Sequence, residues 1–248
     1  GWKAVDDTVV LRDNVGVYLA PIQSFAYERS IYDSENDYGR DVLEGWAALT
    51  DCIYLWTYST NFTAYMFISD TYSMFNEEGY QYFASFNVDM IVNQGQWDTP
   101  YSTAWHNLKM YLDSKLQWDC SLSTQTLTDN FFNAMYGPAA QAMQDLFAEQ
   151  IAYTRKTFED AGFYNAGSTT LDSGVKQSQY WPLALLESWI EKFDAAKALL
   201  DPNDPNYELY ASHIEFETVS PLYLVLYFYG SDSSALATAS RTEYRNRL

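Results

Sequence analysis

Three short apolar runs, separated by helical patterns, constrain the fold of this chain most. They are Val15–Ala20, Cys52–Tyr58 and Val88–Asn93. Each is rich in β-branched or aromatic residues and mostly lacks polar alternation, which is typical of parallel strands covered on both faces. Helical periodicity between the runs gives the order β-α-β-α-β, which requires a parallel sheet with right-handed crossovers. The first half is therefore predicted to be α/β.

The second half of the chain has a different pattern. From about Leu122 onward no strand pattern returns, and every long segment has helical periodicity. Gly162 is expected to end one helix and Pro182 to begin the next. Asp204-Pro205 is expected to start a further helix, which Pro221 should break or kink. This half is predicted to be all-α.

Composition and charge narrow the possible partners. The chain of 248 residues carries 33 acidic and 14 basic residues, a formal charge of −19. Such a charge repels a phosphate backbone and anionic lipid, so nucleic acid is a poor partner. The longest apolar run, Leu222–Tyr229, is too short to span a membrane. Cys52 and Cys120 show no metal or redox spacing, and we expect neither a metal nor a cofactor.

Aromatic residues form 18% of the chain, including 22 Tyr and 8 Trp, more than an ordinary core needs. Most of these rings are expected to pack in the core. Some could instead form platforms for sugar rings, which present an apolar C–H face together with hydroxyls that need polar partners. The carboxyl ends of the second and third predicted strands carry the candidate sugar-binding residues Trp56, Tyr58, Asn61, Asn93, Gln94 and Trp97.

Five motifs in order resemble one family. They are Leu55-Trp56-Thr57-Tyr58 with Asn61-Phe62, Gly79 before the third run, Asn93-Gln94-Gly95, the segment Leu108–Asp119, and Asp129-Asn130-Phe131-Phe132 with Tyr136-Gly137-Pro138-Ala139-Ala140. This series resembles the bacterial barrel proteins grouped as domain of unknown function 4838, which are related in fold to α-glucuronidases and β-hexosaminidases. Thr57 departs from the family pattern, in which an acidic residue is frequent between Trp and Tyr.

The resemblance implies a specific architecture and setting. Residues 1–120 would be the C-terminal strands of a (β/α)8 (TIM) barrel, and residues 121–248 a helical domain. The N-terminal part of the same protein, which would carry the catalytic acids, would be missing. The resemblance also implies a secreted or bacterial cell-surface protein that handles oligosaccharide or polysaccharide.

Three functional hypotheses remain open from the sequence. The leading one is a carbohydrate-processing protein that resembles glycoside hydrolases, in which this chain supplies sugar-binding strand ends and a helical domain. Glycoside cleavage normally needs two carboxyls, and Glu28, Asp33, Glu35 and Asp98 lie near the predicted site without a catalytic motif. The alternatives are a non-catalytic glycan-binding or scaffold module, and a structural piece that assembles through its strand edges.

Overall fold

A computed structural model describes residue 8 and residues 10–60, 64–95, 104–162 and 176–248. The three strands are β1 (Val17–Leu19), β2 (Ile53–Tyr58) and β3 (Val88–Gln94). Most of the described chain is helical. The α-helices are α1 (Asp37–Ala47), α2 (Glu77–Ser85), α3 (His106–Trp118), α4 (Thr124–Tyr136), α5 (Ala140–Ala161), α6 (Leu183–Lys197), α7 (Tyr207–Tyr229) and α8 (Thr238–Arg247).

The strands form one parallel sheet in the order β1-β2-β3. The three predicted runs and their parallel pairing are thus confirmed, with ends shifted by one or two residues. Side chains alternate between the two faces of a strand. Leu19, Ile53 and Leu55 are buried in the core. Tyr18, which precedes Leu19, and Tyr54, which lies between Ile53 and Leu55, point to the other face and are exposed to 54% and 40%. The expectation that both faces of the sheet are covered is therefore wrong.

The predicted (β/α)8 barrel is also wrong. The described residues contain a small open sheet of three strands, whereas a closed barrel of this type needs eight. The rest of the described chain is mainly helical, with α-helices on both sides of residue 120. An α/β mix is present, but barrel closure is not. The division into residues 1–120 and 121–248 stays a prediction.

Of the helix boundaries predicted at glycine and proline residues, two agree with the structure and two differ. Gly162 ends α5 in a left-handed conformation with φ of 71°, and α6 begins directly after Pro182, both as predicted. Asp204 forms a turn, and α7 begins two residues after Pro205. Pro221 does not break α7, which continues to Tyr229. Burial on both sides of this proline stabilises the helix enough to offset the lost backbone hydrogen bond.

Among the described residues, the buried carboxylate of Glu217 is one of the groups that tie the helical half to the sheet half. Glu217 of α7 accepts a hydrogen bond of 2.7 Å from the backbone N–H of Trp105. Trp105 precedes α3 in the left-handed region, with φ of 59°, and its indole donates to Gln150 of α5 at 2.8 Å. The start of α3 is therefore held by α5 and α7, and this fixes α3 relative to the sheet.

Candidate functional site

The open face of the sheet carries a cluster of exposed aromatic rings. We call Tyr18, Tyr54 and Trp56 the aromatic face. Tyr18 and Tyr54 are register partners across β1 and β2. The rings of Tyr18 and Trp56 lie 6.0 Å apart between centroids, tilted by 36°. Adjacent strands thus place three rings side by side on one surface, with Met90 and Val92 of β3 also exposed there.

Trp56 is held in a fixed orientation by Gln94. Its indole N–H donates to the Gln94 side-chain carbonyl at 2.9 Å, across the β2–β3 pair. Trp56 is half-buried, so one part of the ring packs against the protein while another remains accessible. An amide-anchored ring of this kind is preorganised for stacking, because ligand binding does not have to restrict its rotation.

Tyr58 lies at the covered end of the same face. It is the register partner of Gln94 and is only 8% exposed. Tyr27, from the segment after β1, packs edge-on against it with centroids 5.6 Å apart. Burial raises the pKa of Tyr58. The structure therefore brings together Trp56, Tyr58 and Gln94 among the six predicted residues.

Asn93 lies on the opposite face, within a buried polar layer. Its side-chain N–H donates to Asp113 at 2.8 Å, and its side-chain carbonyl accepts from the Thr57 hydroxyl at 3.2 Å. The other carboxylate oxygen of Asp113 accepts from the Tyr80 hydroxyl at 2.9 Å. Asn93 thus joins the carboxyl ends of β2 and β3 to α3. It supports the aromatic face from beneath.

Lys109 completes this polar layer. It lies one helical turn before Asp113, is only 4% exposed, and donates to the backbone carbonyl of Ser59 at 3.0 Å. Burial lowers the pKa of Lys109 to about 8, although Asp113, Glu28 and Asp70 oppose this change. Burial raises the pKa of Asp113 to about 7, against its hydrogen bonds and Lys109. Burial thus disfavours the charged form of both side chains, and the attraction between them offsets part of that effect.

Two predicted residues, Asn61 and Trp97, lie outside the described residues, as does the candidate acid Asp98. Among the acids after β1, Asp33 accepts from the Glu35 backbone N–H and forms an ion pair of 3.2 Å with Arg29. Asp33 therefore holds local structure. Within the described ranges, no group of three or more His, Cys, Asp and Glu side chains is arranged to hold a metal ion.

Sequence reasoning missed Tyr18, Lys109 and Asp113. The signal for Tyr18 is its place one residue before the buried Leu19, since neighbouring residues of a strand face opposite sides. Lys109 and Asp113 are spaced i, i+4 on α3, a pattern usually found on solvated helix surfaces. Their position beside the inward Leu108 and Leu112 was the available signal.

Comparison with known proteins gives a family and no activity. The family model described as Domain of unknown function (DUF4838) matches residues 4–148, more than half of the chain. No curated protein and no solved structure matches the chain. Among the described residues, none of the helices has the length and apolar character needed to cross a membrane.

Proposed function

We propose that this chain, which belongs to the family described as Domain of unknown function (DUF4838), binds oligosaccharides on the aromatic face as part of a carbohydrate-processing protein. The observation that carries this proposal is the half-exposed Trp56 ring, anchored by Gln94 at 2.9 Å and flanked by Tyr18 at 6.0 Å. Sugar rings offer C–H faces that fit such rings. A secreted or cell-surface setting belongs to the same proposal.

The proposed role is binding rather than cleavage. Hydrolysis would need a protonated carboxyl and a second carboxylate on either side of the scissile bond. Asp113 has a raised pKa, but it is 5% exposed and both of its oxygens accept hydrogen bonds from protein groups. It lies beneath the sheet, on the side opposite the aromatic face. We assign it a positioning role, which holds Asn93 and the strand ends.

The net charge of the chain favours neutral glycans over anionic ones. A chain with a formal charge of −19 disfavours anionic ligands at low ionic strength. Neutral oligosaccharides should therefore bind more tightly than uronic-acid oligomers of equal length. Added salt should narrow that difference, because screening weakens only the repulsion.

The test is a titration of the whole chain with neutral oligosaccharides, followed by tryptophan fluorescence and calorimetry. We expect saturable binding that Trp56→Ala abolishes. Tyr18→Ala should weaken it by roughly threefold to tenfold, since one aromatic contact contributes about 0.5–1.5 kcal/mol. Gln94→Ala should also weaken binding, because it releases the indole from its hydrogen bond.

The matched control is Trp118→Ala. Trp118 is 92% exposed at the end of α3 and lies off the aromatic face, so its removal should leave glycan affinity unchanged. Equal losses from Trp56→Ala and Trp118→Ala would mean that binding is not located on the aromatic face. No saturable signal with any neutral or acidic oligosaccharide would overturn the proposal.

A further inference from the structure

The outer edge of β3 is a second surface, which borders the aromatic face at Met90 and Val92. β3 pairs with β2 on one side, and no described strand pairs with its other side. A groove of about 340 Å³ runs along this edge between Val88–Ile91 and the α3 residues Ser114, Gln117 and Trp118. Apolar and polar side chains line this groove in similar measure, and an unpaired edge strand is a template for pairing with another strand.

The surface around this edge exposes several large apolar side chains and few acids. Trp118 is 92% exposed and Met110, two turns earlier on α3, is 46% exposed; Met90 and Val92 of β3 are 45% and 37% exposed. None of the exposed positions of α3 is acidic, and the one charged position is Lys115. The chain as a whole has 33 acidic and 14 basic residues. Two acids and one base, Asp89, Asp119 and Lys115, are exposed here, so this surface carries far less negative charge than the chain as a whole and two copies can approach without strong repulsion.

We propose that this surface binds a second copy of the chain, and that the two copies form a two-fold symmetric dimer with a continuous six-stranded sheet. A two-fold contact requires a surface that is complementary to itself. The register shift in the β2–β3 pair lies beside Tyr54 and leaves Met90–Gln94 in regular pairing. In the proposed dimer this stretch pairs antiparallel with the same stretch of the second copy, and Val92 of one copy lies opposite Val92 of the other.

Backbone geometry supports this register. The Ser59 N–H donates to the Gln94 carbonyl, and backbone groups alternate sides along a strand. The groups of Val92 and Gln94 therefore point toward β2, and those of Ile91 and Asn93 point to the free edge. Centring on Val92 places Ile91 opposite Asn93 of the second copy, which is a hydrogen-bonded pair. Asp89 then lies opposite Gly95 of the second copy, so no like charges meet.

The same axis brings the two copies of α3 together. The Asn93–Asp113 hydrogen bond of 2.8 Å places the middle of α3 level with the end of β3. Antiparallel copies of α3 then cross near Ser114, a small residue that permits close approach. Met110 of one copy meets Trp118 of the other, and thioether–aromatic contacts of this kind are favourable. The aromatic face stays open in such a dimer, so glycan binding and dimerisation are independent.

The test is the mass of the whole chain by sedimentation equilibrium, where the monomer is 28.5 kDa. We expect twice that mass for the wild type and for Trp56→Ala, and the monomer mass for Trp118→Glu. Val92 faces itself across the axis, so Val92→Lys alone and Val92→Asp alone should each be monomeric. An equimolar mixture of the two should restore a dimer, because opposite charges then face each other.

The control is Tyr38→Lys on α1, an exposed aromatic position away from the β3 edge, which should leave the dimer mass unchanged. Far-ultraviolet circular dichroism confirms that each variant is folded. A wild type that remains monomeric at every concentration tested would overturn the proposal. So would a dimer that tolerates Trp118→Glu and both Val92 variants, or a mixture that stays monomeric.

Discussion

Replacement of Glu217 by Gln should stabilise this protein at neutral pH. Glu217 is 3% exposed, and burial raises its pKa from 4.5 to about 8, despite hydrogen bonds from the Trp105 N–H and the Tyr136 hydroxyl. The folded state therefore keeps a proton that the unfolded chain releases above pH 4.5. A raised carboxyl pKa contributes stability at low pH, and that stability is lost as the pH rises toward the folded pKa.

The magnitude follows from the two pKa values. Each pH unit between them lowers the free energy of unfolding by about 1.4 kcal/mol for one proton. From 4.5 to pH 7 the loss is roughly 3 kcal/mol. Gln mimics the protonated carboxyl and titrates in neither state. Glu217→Gln should thus be more stable than the wild type by roughly 2 kcal/mol at pH 7, after about 1 kcal/mol for imperfect hydrogen bonds, and less stable by about that 1 kcal/mol at pH 4.

The assay is urea unfolding at pH 4, 5, 6, 7 and 8. The difference between variant and wild type should grow steadily with pH up to about 8. Glu208→Gln is the control, since Glu208 is exposed in the first turn of the same helix and should show little change with pH. A Glu217→Gln protein that is less stable than the wild type by the same amount at every pH would refute the reasoning.

Two further substitutions probe packing and buried charge, both by urea unfolding. Gly137→Ala should lower the free energy of unfolding by about 1–3 kcal/mol, because Gly137 has φ of 51° and an added Cβ would lie 2.5 Å from the Tyr210 ring; an unchanged value would contradict this. Arg155→Met should lower it by about 1–3 kcal/mol at pH 7, since the fully buried Asp70 carboxylate accepts from the half-exposed Arg155 at 2.8 Å and 2.7 Å. That loss should shrink at low pH as Asp70 is protonated, and a loss that does not vary with pH would count against this view.

The sequence placed the strands well and misjudged their exposure for one physical reason. Apolar runs that are rich in β-branched residues favour strands whether or not other parts of the chain cover their faces. The open face is occupied by Tyr18, Tyr54 and Trp56, so the usual polar alternation of a half-exposed sheet is absent. The first two apolar runs therefore have the sequence pattern of strands that are buried on both faces. Only the packing of the described chain shows that these rings lie at the surface.

The supporting polar layer depends on contacts between distant residues. Asp113 is buried because Tyr80 and Asn93, 33 and 20 positions away, bind its oxygens. Lys109 is buried because it reaches Ser59, 50 positions away. Neither contact has a local sequence signature, and their i, i+4 spacing alone favours a solvated surface. Pro221 was misjudged similarly, since tertiary burial outweighed its local helix-breaking tendency.

The central claim, glycan binding on the aromatic face, is tested most directly at the Trp56 indole N–H. This proton is hydrogen-bonded to Gln94 at 2.9 Å, and its NMR signal can be assigned as the indole resonance lost in Trp56→Phe. Titration with a neutral oligosaccharide should shift this resonance saturably, while the Trp118 indole resonance stays in place. A Trp56 resonance that remains unmoved at saturating oligosaccharide would contradict the account.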